Sequence, residues 1–202
     1  MSERKAGQSG QSMVEFGASA LVLVLLLFGL IDLGRVFYFD VGLQGATREG
    51  ARQASWFDPG PGTNPSLYDT DGWAGIPCQD PNDHPGIKES IDCNLYKSGL
   101  PPSVLQNPGT TCPTTSDGNA AFNPPYSDST YPTNVNSPVL YICYANTPGL
   151  DLASAPADNS FKGTDVNVVL VMGFGFASGL MDGIFGNSIH IVANTHMTVG
   201  GY

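Results

Sequence analysis

Three kinds of side chain in this sequence could do chemistry: an acid at the mouth of an apolar run, four cysteines, and two histidines close together near the C-terminus. Glu15 is the only charged residue from Met13 to Ile31, inside "SGQSMVEFGASALVLVLLLFGLID", residues 9 to 32. A carboxylate at the edge of hydrocarbon is costly unless a counter-charge meets it. Cys78, Cys93, Cys112 and Cys143 form no C-x-x-C pair, which argues against zinc and thiol redox chemistry. An even count in a loop-rich chain favours two disulfides in an oxidising compartment. Three pairings are open; the local one, Cys78 with Cys93 and Cys112 with Cys143, staples the irregular region most directly.

The remaining candidates point away from catalysis. His190 and His196 share a strand face but stand about 20 Å apart along it, too far for one metal ion, so they read as exposed strand histidines. Asp69, Asp71, Asp80 and Asp83 lie in "YDTDGW" and "DPNDHPG", but neither segment has calcium-loop spacing. No nucleophile elbow, phosphate loop, zinc-protease motif or dinucleotide fingerprint occurs. The expectation is a non-enzymatic chain with no cofactor and no metal.

Charge narrows the partners. The net charge is −10 with eight Lys and Arg in all, which excludes nucleic acid, since phosphate neutralisation needs clustered cations. From Trp56 onward thirteen Asp and Glu face three Lys, whereas Arg4 and Lys5 precede the apolar run. Basic flanks stay cytoplasmic, so the N-terminus is expected inside and the bulk of the chain outside.

The elements that would carry these residues are unevenly built. All sixteen prolines follow Asp58, and fourteen fall between Pro59 and Pro138, leaving the first quarter free to be one helix. Phe16 to Ile31 is uncharged and spans roughly 24 Å as a helix, extended by Met13 and Val14 on one side and Leu33, Val36, Phe37 and Phe39 on the other. This is a membrane-length segment. A cleaved secretory signal fits poorly, because "ASA" at residues 18 to 20 precedes the apolar core instead of following it.

Helical signals continue past the membrane edge. Asp32 with Arg35, and Glu49 with Arg52, stand three apart on shared faces. Gly42, Ala46, Gly50 and Ala54 recur every four residues, a stripe of small side chains suited to close packing against another element. "WFDPGPG" ends the helix.

Residues 56 to 137 are turn chemistry with scattered aromatics, read as a decorated insertion with short strands held by disulfides. "SPVLYICYA" (137 to 145) reads as a strand, and "DVNVVLVMGF" (165 to 174), apolar on both faces, as a central one. In "NSIHIVANTHMTV" the odd positions from Ile189 to Val199 form one mainly apolar face, a period-two strand signal. The connector "GFGFASGLMDGIFGN" could pack Phe174, Phe176, Leu180 and Phe185 on the helix, on a neighbouring subunit, or under the sheet.

The chain thus divides into a leader (1–10), a long helix (11–55, membrane-embedded about 13–31), a Pro/Gly-rich insertion (56–137) and a C-terminal strand region (138–202). The fold class is α+β: a long N-terminal transmembrane-to-extracytoplasmic helix packed on a small antiparallel β-sheet domain with a loop-rich, disulfide-bonded insertion.

Gly10, four residues, Glu15, Phe16 and a long apolar run, after a tail with Arg4 and Lys5, resembles the processing signal of type IV prepilins. Residues 10 to 55, with "GQSMVEF", "DLGR" and "REGAR", resemble the TadE family of pilin-like proteins from tight-adherence (Flp-type) pilus systems. "VNVVLVMGFGFASGLMDGIFGNSIHIVANTHMTV" is similar to that family's ending, but "FASGLMDGI" stands where proline-leucine pairs are usual. The resemblance implies a minor pilin or pseudopilin of the bacterial cytoplasmic membrane, acting in pilus assembly, adhesion or secretion.

Its implied partners are a prepilin peptidase cutting between Gly10 and Gln11, other pilin subunits, the membrane assembly platform and membrane lipid. Glu15 would then pair with the amine freed on Gln11 of a neighbouring chain and set axial register beside Phe16. Residues 56 to 137 would be the surface offered to an external ligand. The competing reading is a permanently membrane-anchored, single-pass extracytoplasmic binding protein.

Overall fold

The computed structural model describes residues 8–55, 87–100, 105, 112–113, 124–144, 163, 165–177, 183, 186 and 188–200. Helix α1, Gln8–Ser55, runs unbroken for 48 residues, or roughly 72 Å, as its freedom from proline allows. Its two halves differ in environment. Through Ile31 the large apolar side chains are exposed, whereas Leu43, Ala46, Ala51 and Ala54 are fully buried.

What buries them, together with a second helix described below, is a three-stranded antiparallel sheet in the order β1-β2-β3, with β1 Val139–Tyr144, β2 Asp165–Phe174 and β3 Ile189–Thr198. The register pairs Leu140 with Leu170 across β1 and β2, and Leu170 with Ala193 across β2 and β3. Alternation then assigns the faces. Leu140, Ile142, Val166, Val168, Leu170, Met172, Ile191 and Ala193 meet the helices, while Val139, Tyr141, Cys143, Val169 and Val171 meet a second apolar cluster with Tyr126 and, at its margin, Tyr131. β2 is therefore central and covered on both faces, the environment that its apolar run from Val168 to Phe174 requires.

The part of the insertion described here departs from the expected short strands. Residues Ile87–Lys97 form a helix, α2, because Ile87, Ile91 and Leu95 recur at one-turn spacing and all three are fully buried against α1 and the sheet. The α2 C-terminus is closed by Gly99 at φ 79°. Gly99 N donates to Tyr96 O at 2.9 Å and Leu100 N to Leu95 O at 3.1 Å, the two bonds of a Schellman stop, with Leu95 and Leu100 buried beside them. A short 3-10 helix, Asp128–Thr130, follows.

Cys112 and Cys143 are disulfide-bonded, tying the insertion to β1 on the face turned from α1. Cys93 is disulfide-bonded as well; Cys78 lies outside the described residues.

Candidate functional site

The apolar half of α1 is the exposed feature that a function must explain. The most hydrophobic stretch of the helix is wholly unburied by the rest of the chain and long enough to cross a membrane. Among the described residues nineteen large apolar side chains are at least 39% exposed, and fifteen of them lie between Met13 and Phe37. Leaving so much apolar surface in water costs roughly 25 cal/mol per Å², so the segment belongs in lipid or against other apolar helices.

Gly10, Gln11, Glu15 and Phe16 stand together on the first turns of this segment. Gly10 has nothing within 4 Å of where a Cβ would sit, and Phe16 is 75% exposed. Gln11 Nε2 donates to Glu15 Oε1 at 3.1 Å, so residue 11 reaches the carboxylate along one turn of helix. An amide carries no charge, so this bond brings the acid no counter-charge.

The acid at the other end of the apolar run is treated differently. Asp32 is 1% exposed. The backbone N–H of Ala177 donates to its Oδ1 at 3.0 Å, and Arg35 Nη1 lies 3.5 Å from the same oxygen. The Arg35 guanidinium is also 5.1 Å from the centre of the Phe174 ring, a cation–π distance. Phe174 in turn meets Phe39 at 5.7 Å and Phe176 at 5.9 Å between ring centres. Phe174 and Phe176 thus pack on the helix; Leu180 and Phe185 lie outside the described residues.

Gly42, Ala46, Gly50 and Ala54 face the domain. A Cβ on Gly42 would stand 2.7 Å from Ser98 Cβ, and one on Gly50 2.5 Å from Ile91 Cδ1; Ala46 and Ala54 are fully buried. Beside the stripe, Thr195 Oγ1 donates to Thr47 Oγ1 at 3.1 Å, and Thr47 Oγ1 donates to Gln44 O at 3.1 Å, satisfying a buried hydroxyl. The helix ends where Gly200 N donates to Ser55 O at 2.9 Å.

The histidines are both exposed and far apart in function. His190 stacks on Tyr131 with ring centres 4.3 Å apart and planes 8° from parallel. His196 Nδ1 pairs with Asp165 Oδ2 at 2.9 Å across β3 and β2. Among the described residues no three His, Cys, Asp or Glu are grouped to hold a metal ion. Asp69, Asp71, Asp80 and Asp83 lie outside them.

Two groups of the site went unread in the sequence. The bond to Asp32 comes from a backbone N–H 145 residues away, which no side-chain pattern announces. The buried residues of α2 did carry a signal, the one-turn repeat of Ile87, Ile91 and Leu95, masked by its proline-rich surroundings.

A single long apolar helix that leaves its exposed half and enters a small α+β head defines a membrane-anchored, single-helix class of protein. Residues 10–52 match the family model for TadE, described as TadE-like protein. The matched segment is α1 almost entire, so the likeness to TadE-like proteins is carried by the helix. No curated protein and no solved structure compared with the chain matches it.

Proposed function

We propose that this chain is a minor pilin or pseudopilin of a tight-adherence pilus, inserted with its N-terminus inside and trimmed between Gly10 and Gln11 by a prepilin peptidase. In this reading it serves pilus assembly, adhesion or secretion together with other pilin subunits and the membrane assembly platform. It is structural, not enzymatic. The observation that carries the reading is the wholly exposed apolar half of α1, within the TadE-like match, with Glu15 as its one charge.

Glu15 then has a physical role. Trimming replaces the neutral link before Gln11 with an ammonium group one helical turn from the carboxylate. A negative charge near a helix N-terminus is favoured by the helix dipole, and the amine of an adjacent subunit neutralises it in an apolar setting where an unpaired charge is costly. Axial register between subunits follows from that pairing.

Intact-mass measurement of the membrane-extracted protein tests the proposal. A chain lacking Met1 to Gly10 is expected. A functional chain that keeps those residues would favour the competing reading, a permanently anchored extracytoplasmic binding protein whose insertion meets an external ligand.

A further inference from the structure

Contacts along α1 give the head a direction. Val168 lies at Gly50, where a Cβ would be 3.3 Å from its Cγ1; Phe174 meets Phe39 and Arg35; Ala177 reaches Asp32. β2 therefore descends the helix from residue 50 toward the apolar segment. β3 climbs back, with Thr195 at Thr47 and Gly200 at Ser55. The end of β2, continued through Ala177, is therefore the described part of the head nearest the apolar run, and it is fastened to the residue that directly follows Ile31.

We propose that this end, Phe176 and Ala177, is a second membrane contact, held in the lipid headgroup layer by the bond from Ala177 N to Asp32. This rests on the reading that the exposed half of α1 spans a bilayer. The uncharged run ends at Ile31 and each helical residue rises about 1.5 Å, so a group bonded to Asp32 lies near the level where acyl chains give way to headgroups. Ala177 is exposed there, and Phe176 is half-buried, with an aromatic ring suited to the interface.

The chemistry around Asp32 fits that depth. Its carboxylate accepts from the Ala177 backbone N–H and is offset by Arg35, so the acid at the lipid edge is buried with a counter-charge beside it. Arg35 Nη1 is itself buried beside Asp32 Oδ1, while the Arg35 side chain as a whole is 36% exposed and stands one turn beyond Asp32, at the depth of lipid phosphates.

Depth-dependent quenching tests the inference. No described cysteine is free, so Leu23→Cys, Ala177→Cys and Thr198→Cys each offer a labelling thiol in the otherwise intact chain. Each is labelled with a nitrobenzoxadiazole fluorophore in phosphatidylcholine–phosphatidylglycerol vesicles carrying nitroxides on headgroups or acyl chains. Thr198 lies about 30 Å along β3 from the connector end. The Ala177 label should be quenched by headgroup nitroxide several-fold more than the Thr198 label, and the Leu23 label by acyl-chain nitroxide. Equal quenching at 177 and 198 with Leu23 quenched would overturn the second contact alone. An unquenched Leu23 label would sink the spanning reading and this inference with it.

Discussion

Gly50 and Ile91 are in contact so close that a single methyl group has no room between them: a Cβ at residue 50 would stand 2.5 Å from Ile91 Cδ1, 2.7 Å from Cγ1 and 3.3 Å from Val168 Cγ1. Ile91 is itself fully buried and cannot swing aside freely. Gly50→Ala should therefore destabilise the head. Overpacking costs about 1–3 kcal/mol, and the ~1 kcal/mol gained in helix propensity offsets only part of it. Gly45 is the control, with nothing within 4 Å of its Cβ position; Gly45→Ala should gain about 1 kcal/mol. Thermal unfolding in detergent, followed by circular dichroism, reads both shifts. Equal gains at the two positions would show that the helices are not held this closely.

The disulfide between Cys112 and Cys143 closes a separation of 31 residues and anchors the proline-rich insertion to the face of β1 opposite α1. Constraining an unfolded loop of that length stabilises by about 3–4 kcal/mol in the chain-entropy account. The Cys112→Ser, Cys143→Ser double variant should unfold at a markedly lower temperature. A non-reducing peptide map should show the two cysteines in one linked fragment. Free thiols at both positions in native protein would refute the staple.

Asp92 gives the head a pH dependence of uncommon sign. It is 2% exposed, and burial raises its pKa, outweighing the Lys88 ammonium 2.8 Å away and a backbone hydrogen bond from Leu105. Because the folded pKa lies above the unfolded one, the folded state binds more protons between the two values. This group's contribution to stability is thus full below the ordinary Asp range near 4 and is lost as pH rises through the raised folded value. Glu49 works oppositely. The hydrogen bonds from Arg52 hold its pKa down, so its contribution exists above the ordinary Glu range and fades as pH falls through the lowered value; it is small, since the pair is largely exposed. Asp92→Asn should flatten the decline in unfolding temperature between pH 4 and 7, by comparison with the parent chain. An unchanged slope would assign the decline elsewhere.

The fold was legible where one periodicity dominated. The proline-free quarter gave a continuous helix, "DVNVVLVMGF" a central strand, and the odd positions of Ile189 to Val199 the face turned to α1. Asp32 with Arg35 and Glu49 with Arg52 were visible as three-residue pairs, and both are formed. Helix α2 was missed because its eleven residues sit among prolines and turn residues that outweigh a short repeat. The bond from Ala177 to Asp32 was beyond reading, since a backbone donor brought in by strand direction leaves no residue type to recognise. The paired glycines of "GFGF" have a local reason set by distant chain: a Cβ on Gly173 would lie 3.3 Å from Pro132 O, and one on Gly175 3.1 Å from Val135 Cβ.

Glu15 separates assembly from insertion. Among the described residues its partner is the Gln11 side-chain amide, which is uncharged, so losing the carboxylate strands no cation there. Glu15→Ala should therefore enter the membrane and be trimmed like the parent. Its assembly should suffer, because a charge-assisted pair in a dry setting contributes about 1.5–3 kcal/mol, roughly tenfold or more in an association constant. Sheared filaments and membranes, fractionated and probed for the chain, would show the variant depleted from the former and retained in the latter. Gly10→Leu should fail earlier, keeping Met1 to Gly10 by mass, since a bulky side chain obstructs the peptidase. Wild-type filament content in Glu15→Ala would mean the acid is idle, whereas normal trimming of Gly10→Leu would remove the cleavage site.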